Sequence, residues 1–154
     1  MNSFIRGTFL FLFLSTSVLN ADTMFMLTKV KKVYLVVQNY STKLPTDIKK
    51  SIYEELDYLA DELKIDTTGY SHRTLGFIIY ETTIDSKTVL NIDLILGEQI
   101  KRLDDNEEVY GLTYEKRKQF FLDNLSIEEM EEKTMDSVDL LINSFIEQYK
   151  EDNE

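Results

Sequence analysis

Asp93 is the residue of this chain that is best placed to do chemistry. It stands between Ile92 and Leu94 in a strand-like run, and Asn91 lies two positions away on the same face. A carboxylate enclosed on that face would have a raised pKa and would be a candidate acid or base. The same alternation fits a sheet face that is open to water, which is the interpretation we favour. Paired carboxylates near Asp93 or Glu98 would suit a hydrolase, but with 28 acidic residues some pair always fits.

Two further motifs are weaker. His72 is the only histidine, and without a second ligand of its kind it favours a loop position over a catalytic or metal-binding role. Residues 104–115 match several positions of a calcium loop, but Val109 stands where the sharp turn needs glycine. The chain has no cysteine, which excludes disulfides and cysteine-ligated zinc, and it has no glycine-rich phosphate loop. We expect no cofactor, no metal and no catalytic residue.

Tyrosines are placed on three of the four predicted strands, at Tyr34, Tyr80, Tyr110 and Tyr114. Tyrosine gives a large contact area at low entropic cost, which suits a surface for a ligand or partner, although packing in the core is its commoner use. The predicted partner-binding residues are Asn91, Asp93, Tyr110 and Tyr114. The pair Asn91 and Asp93 lies either on the same face of the sheet as Tyr110 and Tyr114 or on the opposite face. Replacing Tyr114 by alanine is expected to weaken partner binding and to leave the fold intact.

The elements that position these residues follow from hydrophobic periodicity. Strands are predicted over residues 29–39, 73–84, 89–103 and 109–121. A helix with apolar residues at intervals of three and four is predicted from the cap Thr46 to about Lys64. A second helix begins at Ser126, which forms a capping box with Glu129, and the polar tail 151–154 is predicted to fray.

The order β-α-β-β-β-α predicts an α+β two-layer sandwich. Three strands joined by short turns form an antiparallel meander, and the first strand joins them through the helix. This gives a mostly antiparallel four-stranded sheet with two helices on one face.

The first 21 residues have the order of a secretory signal peptide. Arg6 precedes an apolar run that ends near Leu19, and the small residue Ala21 follows. The alternative, an uncleaved anchor, would place Asn20 and Asp22 in hydrocarbon, which is costly. We therefore predict a signal peptide over 1–21, cleavage near Ala21, and a single α+β domain over 22–154 that is periplasmic or secreted.

The net negative charge of the chain argues against anionic partners. The formal net charge of −11 disfavours nucleic-acid phosphates and anionic lipid head groups. A lipoprotein needs a cysteine directly after its cleavage site, so no lipid anchor is expected by that route.

The layout resembles the small α/β domains of bacterial envelope accessory proteins. The resemblance rests on pattern and order, in the strands 33–41, 89–94 and 109–114 and in a closing amphipathic helix that contains Phe145. Such domains occur in penicillin-binding-protein activator lipoproteins, in the curli-secretion lipoprotein and at the amino terminus of the Tol-system β-propeller protein. The resemblance implies a non-enzymatic envelope role, and it transfers no functional residue.

These observations predict a non-catalytic exported accessory protein that binds another envelope protein through the uncovered face or an edge of its sheet. Two alternatives stay open. One is a periplasmic carrier of a small apolar or cationic ligand, held between sheet and helices. The other is a carboxylate-dependent hydrolase.

Overall fold

The described part of the chain contains four strands and two helices, in the predicted order. A computed structural model describes residues 27–154, so the predicted signal peptide lies outside the described residues. The elements are β1 (Tyr34–Asn39), α1 (Ile48–Glu62), β2 (Arg73–Ile84), β3 (Lys87–Lys101), β4 (Glu108–Phe121) and α2 (Ile127–Asn153). The α+β class and the β-α-β-β-β-α order are confirmed.

The sheet has the strand order β1-β2-β3-β4. β2, β3 and β4 form the predicted antiparallel meander, whereas β1 pairs in parallel with β2 because α1 carries the chain back between them. Asp85 and Ser86 join β2 to β3 with φ angles of 49° and 66°. Positive φ at both central residues is the geometry of a two-residue hairpin turn that matches the twist of the strands.

The core lies between the sheet and the helices. Alternate residues of the central strands point to the helical side, as the period of two requires. The fully buried side chains include Leu75, Phe77 and Ile79 of β2, Leu90, Ile92, Leu94 and Leu96 of β3, Ile52, Leu56 and Leu59 of α1, and Val138 and Phe145 of α2. Side chains fill this layer, which is where the carrier hypothesis placed its ligand.

The two helices start differently. At α2 the predicted capping box is present, since Ser126 Oγ accepts from the N–H of Glu129 at 3.2 Å and Glu129 Oε2 accepts from the N–H of Ser126 at 2.8 Å. At α1 the N-cap is Asp47, not the predicted Thr46, and its side chain makes no capping hydrogen bond. Burial of the apolar stripe of α1 therefore defines this helix more than its cap does.

The start of the described chain is tied to the end of α2. β1 begins at Tyr34, five residues later than predicted, and the segment before it is irregular. Leu27 is fully buried, and its N–H donates to Asp152 Oδ2 at 2.6 Å. Asn153 Nδ2 donates to the carbonyl of Leu27 at 3.1 Å. The tail that was predicted to fray is therefore helical as far as Asn153, because it holds these partners.

Candidate functional site: the open face of the sheet

The helices cover one side of the sheet, and the other side has no element packed on it within residues 27–154. We call this second side the open face. Strand register places on it the side chains that are cross-strand neighbours of Asp93. Its apolar and aromatic members are Tyr34, Val36, Ile78, Tyr80, Ile84, Val89, Ile95, Tyr110, Leu112 and Phe121.

Three of the four predicted partner-binding residues lie on the open face. Asn91 and Asp93 belong to β3, and Tyr110 belongs to β4. The fourth, Tyr114, points to the helices because the β3–β4 register shifts between Leu96 and Gly97. This bulge inserts one extra residue into β4 and reverses its alternation, so Tyr110 and Tyr114 fall on opposite faces.

Tyr114 is a core residue. It is 4% exposed, and its ring meets that of Phe145 edge to face at 5.1 Å. Burial raises the pKa of its hydroxyl above the ordinary range. The expectation that Tyr114→Ala would leave the fold intact is therefore wrong, because the substitution would open a cavity beneath α2.

A bidentate ion pair occupies the centre of the open face. Arg117 donates from Nε to Asp93 Oδ1 at 2.5 Å and from Nη2 to Asp93 Oδ2 at 2.8 Å. The Asp93 side chain is 8% exposed and that of Arg117 is 43% exposed. The arginine also lies over the ring of Tyr80, 5.7 Å from its centroid. The pair thus presents a guanidinium to solvent above a buried carboxylate.

The pKa shifts around this pair have clear causes. Hydrogen bonding to Asp93 raises the pKa of Arg117, so the guanidinium stays charged. Burial, together with the nearby Asp93 carboxylate, raises the pKa of Tyr80. The Tyr80 phenol is therefore neutral at physiological pH.

The carboxylates named for a hydrolase are both bound by arginine. Asp93 is held by Arg117, and Glu98 accepts from Arg73 Nε at 2.7 Å. Asn91 is 4% exposed and donates to Thr82 Oγ1 at 2.9 Å. This arrangement gives the hydrolase alternative no observation in its favour.

Tyr110 lies at one end of the open face, near a set of cross-strand hydrogen bonds that the sequence did not suggest. A Cβ atom placed on Gly97 would be 2.6 Å from Tyr110 Cε1, so the ring rests directly on the backbone of β3. His72, in the segment before β2, is 2.9 Å from Gln99 through Nδ1 and Oε1. Gln99 in turn donates to Glu108 Oε2 at 2.7 Å. No spacing in the sequence links these groups, because β2, β3 and β4 must pair before they meet.

Charge is divided between the two layers. α1 and α2 together hold 14 of the 28 acidic residues and 4 of the 17 basic residues. The register places three acids on the open face, Glu108, Asp93 and Glu115, and three bases, Lys87, Lys101 and Arg117. The helical layer is therefore strongly acidic, whereas the open face is nearly neutral.

Two negative findings concern residues 27–154. Over this range no helix has the length and apolar character needed to cross a membrane. The same range contains no group of three or more histidine, aspartate or glutamate side chains placed to hold a metal ion.

Neither a protein-family model nor a curated relative matches the sequence. Among solved structures, a minor lipoprotein from Acinetobacter baumannii is 11% identical and aligns over 79% of this chain and 92% of its own, with a TM-score of 0.38. A PelC dodecamer from Paraburkholderia phytofirmans is 12% identical and aligns over 71% of this chain and 82% of its own, with a TM-score of 0.32. The first is a lipoprotein by name. TM-scores this low do not establish a shared fold.

Proposed function

We propose that this chain is an exported, non-catalytic accessory protein whose open face binds another protein of the cell envelope. The observation that carries the proposal is the composition of this face. It combines exposed Tyr34, Tyr110 and Phe121 with a central Arg117 that is already bound to a buried carboxylate. Tyrosine and arginine are enriched among the residues that dominate protein–protein binding energy.

The size of the face supports a protein as the occupant. The four strands contain 6, 12, 15 and 14 residues. With a rise of ~3.3 Å per residue and a strand spacing of ~4.8 Å, they present roughly 700 Å². This is close to the ~800 Å² that each partner contributes to an interface of standard size.

The charge distribution supports a specific orientation. The acidic helical layer repels other acidic surfaces, whereas the open face carries equal numbers of acids and bases and has no such net repulsion. A partner surface that is mainly apolar and carries an acceptor for Arg117 fits the open face best. The acidic helices then remain in solvent.

The part of the proposal that concerns export rests on residues 1–21. Their charged, apolar and small-residue order is that of a signal peptide. Protein recovered from the periplasm or the medium is expected to begin at Asp22 on amino-terminal sequencing. A chain that retains Met1 and stays in the cytoplasm would contradict this part of the proposal.

Site-specific photo-crosslinking tests the docking face. Benzoylphenylalanine replaces Phe121 on the open face in one variant and Leu140 on α2 in the other, residues that are 52% and 55% exposed. We expect the Phe121 variant to form an adduct with one envelope protein and the Leu140 variant to form none.

The identified partner is then purified, and its affinity is measured for Phe121→Asp and for the control Leu140→Asp. The first change should weaken binding by at least about tenfold, and the second should have no effect.

Two results would reject the open face as the docking surface. One is an adduct of equal yield from both positions, which would indicate random encounter. The other is correctly folded and exported protein that forms no adduct through Phe121.

A further inference from the structure

A cleft lined by tyrosines lies at the end of the open face opposite Phe121. It has a volume of about 310 Å³. Tyr34 contributes from β1, Tyr110 from β4, and Tyr70 from the segment before β2. These side chains are 55%, 59% and 78% exposed. Three aromatic rings from separate parts of the fold are thus available to a ligand at one place.

Small residues form the floor of the cleft. Thr74 is the register partner of both Tyr34 on β1 and Gly97 on β3. Gly97 has no side chain, and the ring of Tyr110 occupies the space where a Cβ would lie. The side chains on the middle strands β2 and β3 are therefore short here, whereas tyrosines project from the outer strands β1 and β4. This difference makes this end of the sheet concave.

At the polar end of the cleft, the donor and the acceptor of each hydrogen bond can be assigned. The carboxylate of Glu108 can only accept, so Gln99 donates to it through Nε2 and presents Oε1 to His72. The amide oxygen also only accepts, so His72 donates to it through Nδ1. The ring of Tyr70 packs edge to face on the imidazole at 5.1 Å, which restrains its orientation.

The lining chemistry identifies the class of ligand. The residues that line the cleft itself include no carboxylate, lysine or arginine. Charged groups lie just beyond it, because Glu108 accepts from Gln99 and a neighbouring cavity that shares Gln99 is lined by Lys31, Lys32, Arg73 and Glu98. The polar lining residues are serine, threonine, glutamine, histidine and the tyrosine hydroxyls, which serve as donors and acceptors toward hydroxyl groups. The tyrosine faces suit the C–H face of a sugar ring, and a volume near the lower end of ~300–1,000 Å³ suits a short chain. We propose that this cleft binds a neutral saccharide.

Titration of the isotope-labelled mature protein followed by NMR tests this inference. The probes are chitotriose, cellotriose and maltotriose, each added separately. We expect at least one to produce saturable shift changes at the amides of His72, Thr74 and Gly97. Tyr34→Ala should weaken that binding by about tenfold because a stacking surface is lost, whereas Tyr34→Phe should retain it. Tyr58→Ala on α1 is the matched control, since Tyr58 is 64% exposed and lies on the opposite layer.

Three outcomes would overturn the inference. The first is an unperturbed spectrum of the folded protein with all three trisaccharides. The second is saccharide binding that survives Tyr34→Ala at full strength. The third is a cleft that responds to adenosine, an aromatic probe, but to none of the sugars, which would show that the ligand class is wrong.

The cleft shares Tyr34 and Tyr110 with the proposed docking surface, so the two proposals are separated through Phe121, which belongs to the docking surface alone. Phe121→Asp should weaken the affinity for the purified partner and leave the saccharide titration unchanged, because Phe121 lies at the far end of β4. Tyr34→Ala should weaken saccharide binding by the purified chain, a loss that can be measured with no partner present.

Discussion

The hydroxyl of Tyr114 is buried and makes no hydrogen bond of ordinary geometry among the described residues, although the Ser144 side chain lies near enough to lower its pKa against the effect of burial. The packing of the ring on Phe145 stabilises the fold, so only the buried hydroxyl group is energetically unfavourable. A buried donor without a partner costs about 1–3 kcal/mol of stability.

Removing that hydroxyl should therefore not destabilise the fold. We expect Tyr114→Phe to leave the free energy of unfolding unchanged or to raise it by about 1 kcal/mol. Tyr114→Ala should lower it by about 3–5 kcal/mol, because it creates a cavity in the core. Urea unfolding followed by circular dichroism measures both changes. A clear loss of stability in Tyr114→Phe would show that the hydroxyl is satisfied, for example by a bound water.

The ion pair of Asp93 and Arg117 should respond unequally to the loss of either partner. Arg117→Met leaves a carboxylate whose side chain is 8% exposed without its partner, and we expect a cost of about 2–3 kcal/mol. Asp93→Asn leaves an arginine that is 43% exposed and that water can solvate, so about 1 kcal/mol is expected. The double variant should be more stable than the sum of the two losses predicts. Additive losses would indicate that the pair does not act as a unit.

At the scale of elements, Glu81 joins the loop after β1 to the edge of β2. Its Oε1 atom accepts from Ser41 Oγ at 2.6 Å, from the N–H of Thr42 at 2.8 Å and from the N–H of Lys43 at 3.2 Å. Burial raises the pKa of Glu81, but these hydrogen bonds outweigh it, and the pKa lies below its ordinary value of 4.5. The carboxylate thus holds the segment that leads into α1.

The sign of this shift predicts a pH dependence. A depressed pKa in the folded state means that the contribution of Glu81 is fully present above its ordinary pKa of 4.5. The contribution is lost as the pH falls through the folded value. We expect Glu81→Gln to cost about 1 kcal/mol near neutral pH, a modest figure because the site is partly exposed. The difference from the unmodified protein should shrink below pH 4.5. A difference that is constant with pH would show that charge is not involved.

The order of the elements could be predicted from the sequence because each buried face repeats with the period of its own backbone. The capping box at Ser126 was predictable for the same local reason. The side of the sheet on which Tyr114 lies could not be predicted, because the bulge beside Gly97 is a property of the pairing between β3 and β4. The pairing of Asp93 with Arg117, and of His72 with Gln99, likewise depends on residues that meet only across strands.

Across the whole molecule, the separation of charge between the layers should govern the response to salt. The acidic residues of α1 and α2 repel one another in the folded state and less so in the expanded unfolded chain. Screening this repulsion therefore favours folding.

The melting temperature should rise as sodium chloride is increased to about 0.5 M, where the screening length is well below the ~10 Å found at 0.1 M. Differential scanning calorimetry measures the change. The variant Glu132→Lys, Asp139→Lys replaces two exposed acids of α2 and should show a smaller response. A melting temperature that falls with salt would mean that ion pairs outweigh the repulsion.

The link between Leu27 and Asp152 also sets an order in time. The hydrogen bond joins residues 125 positions apart, so Leu27 cannot make this contact until the last turn of α2 has been synthesised. At a synthesis rate of roughly 5–20 residues per second, that wait lasts about 6–25 s. A growing chain cannot complete its fold during this interval, and it remains open to chaperones and to any channel that carries only unfolded protein.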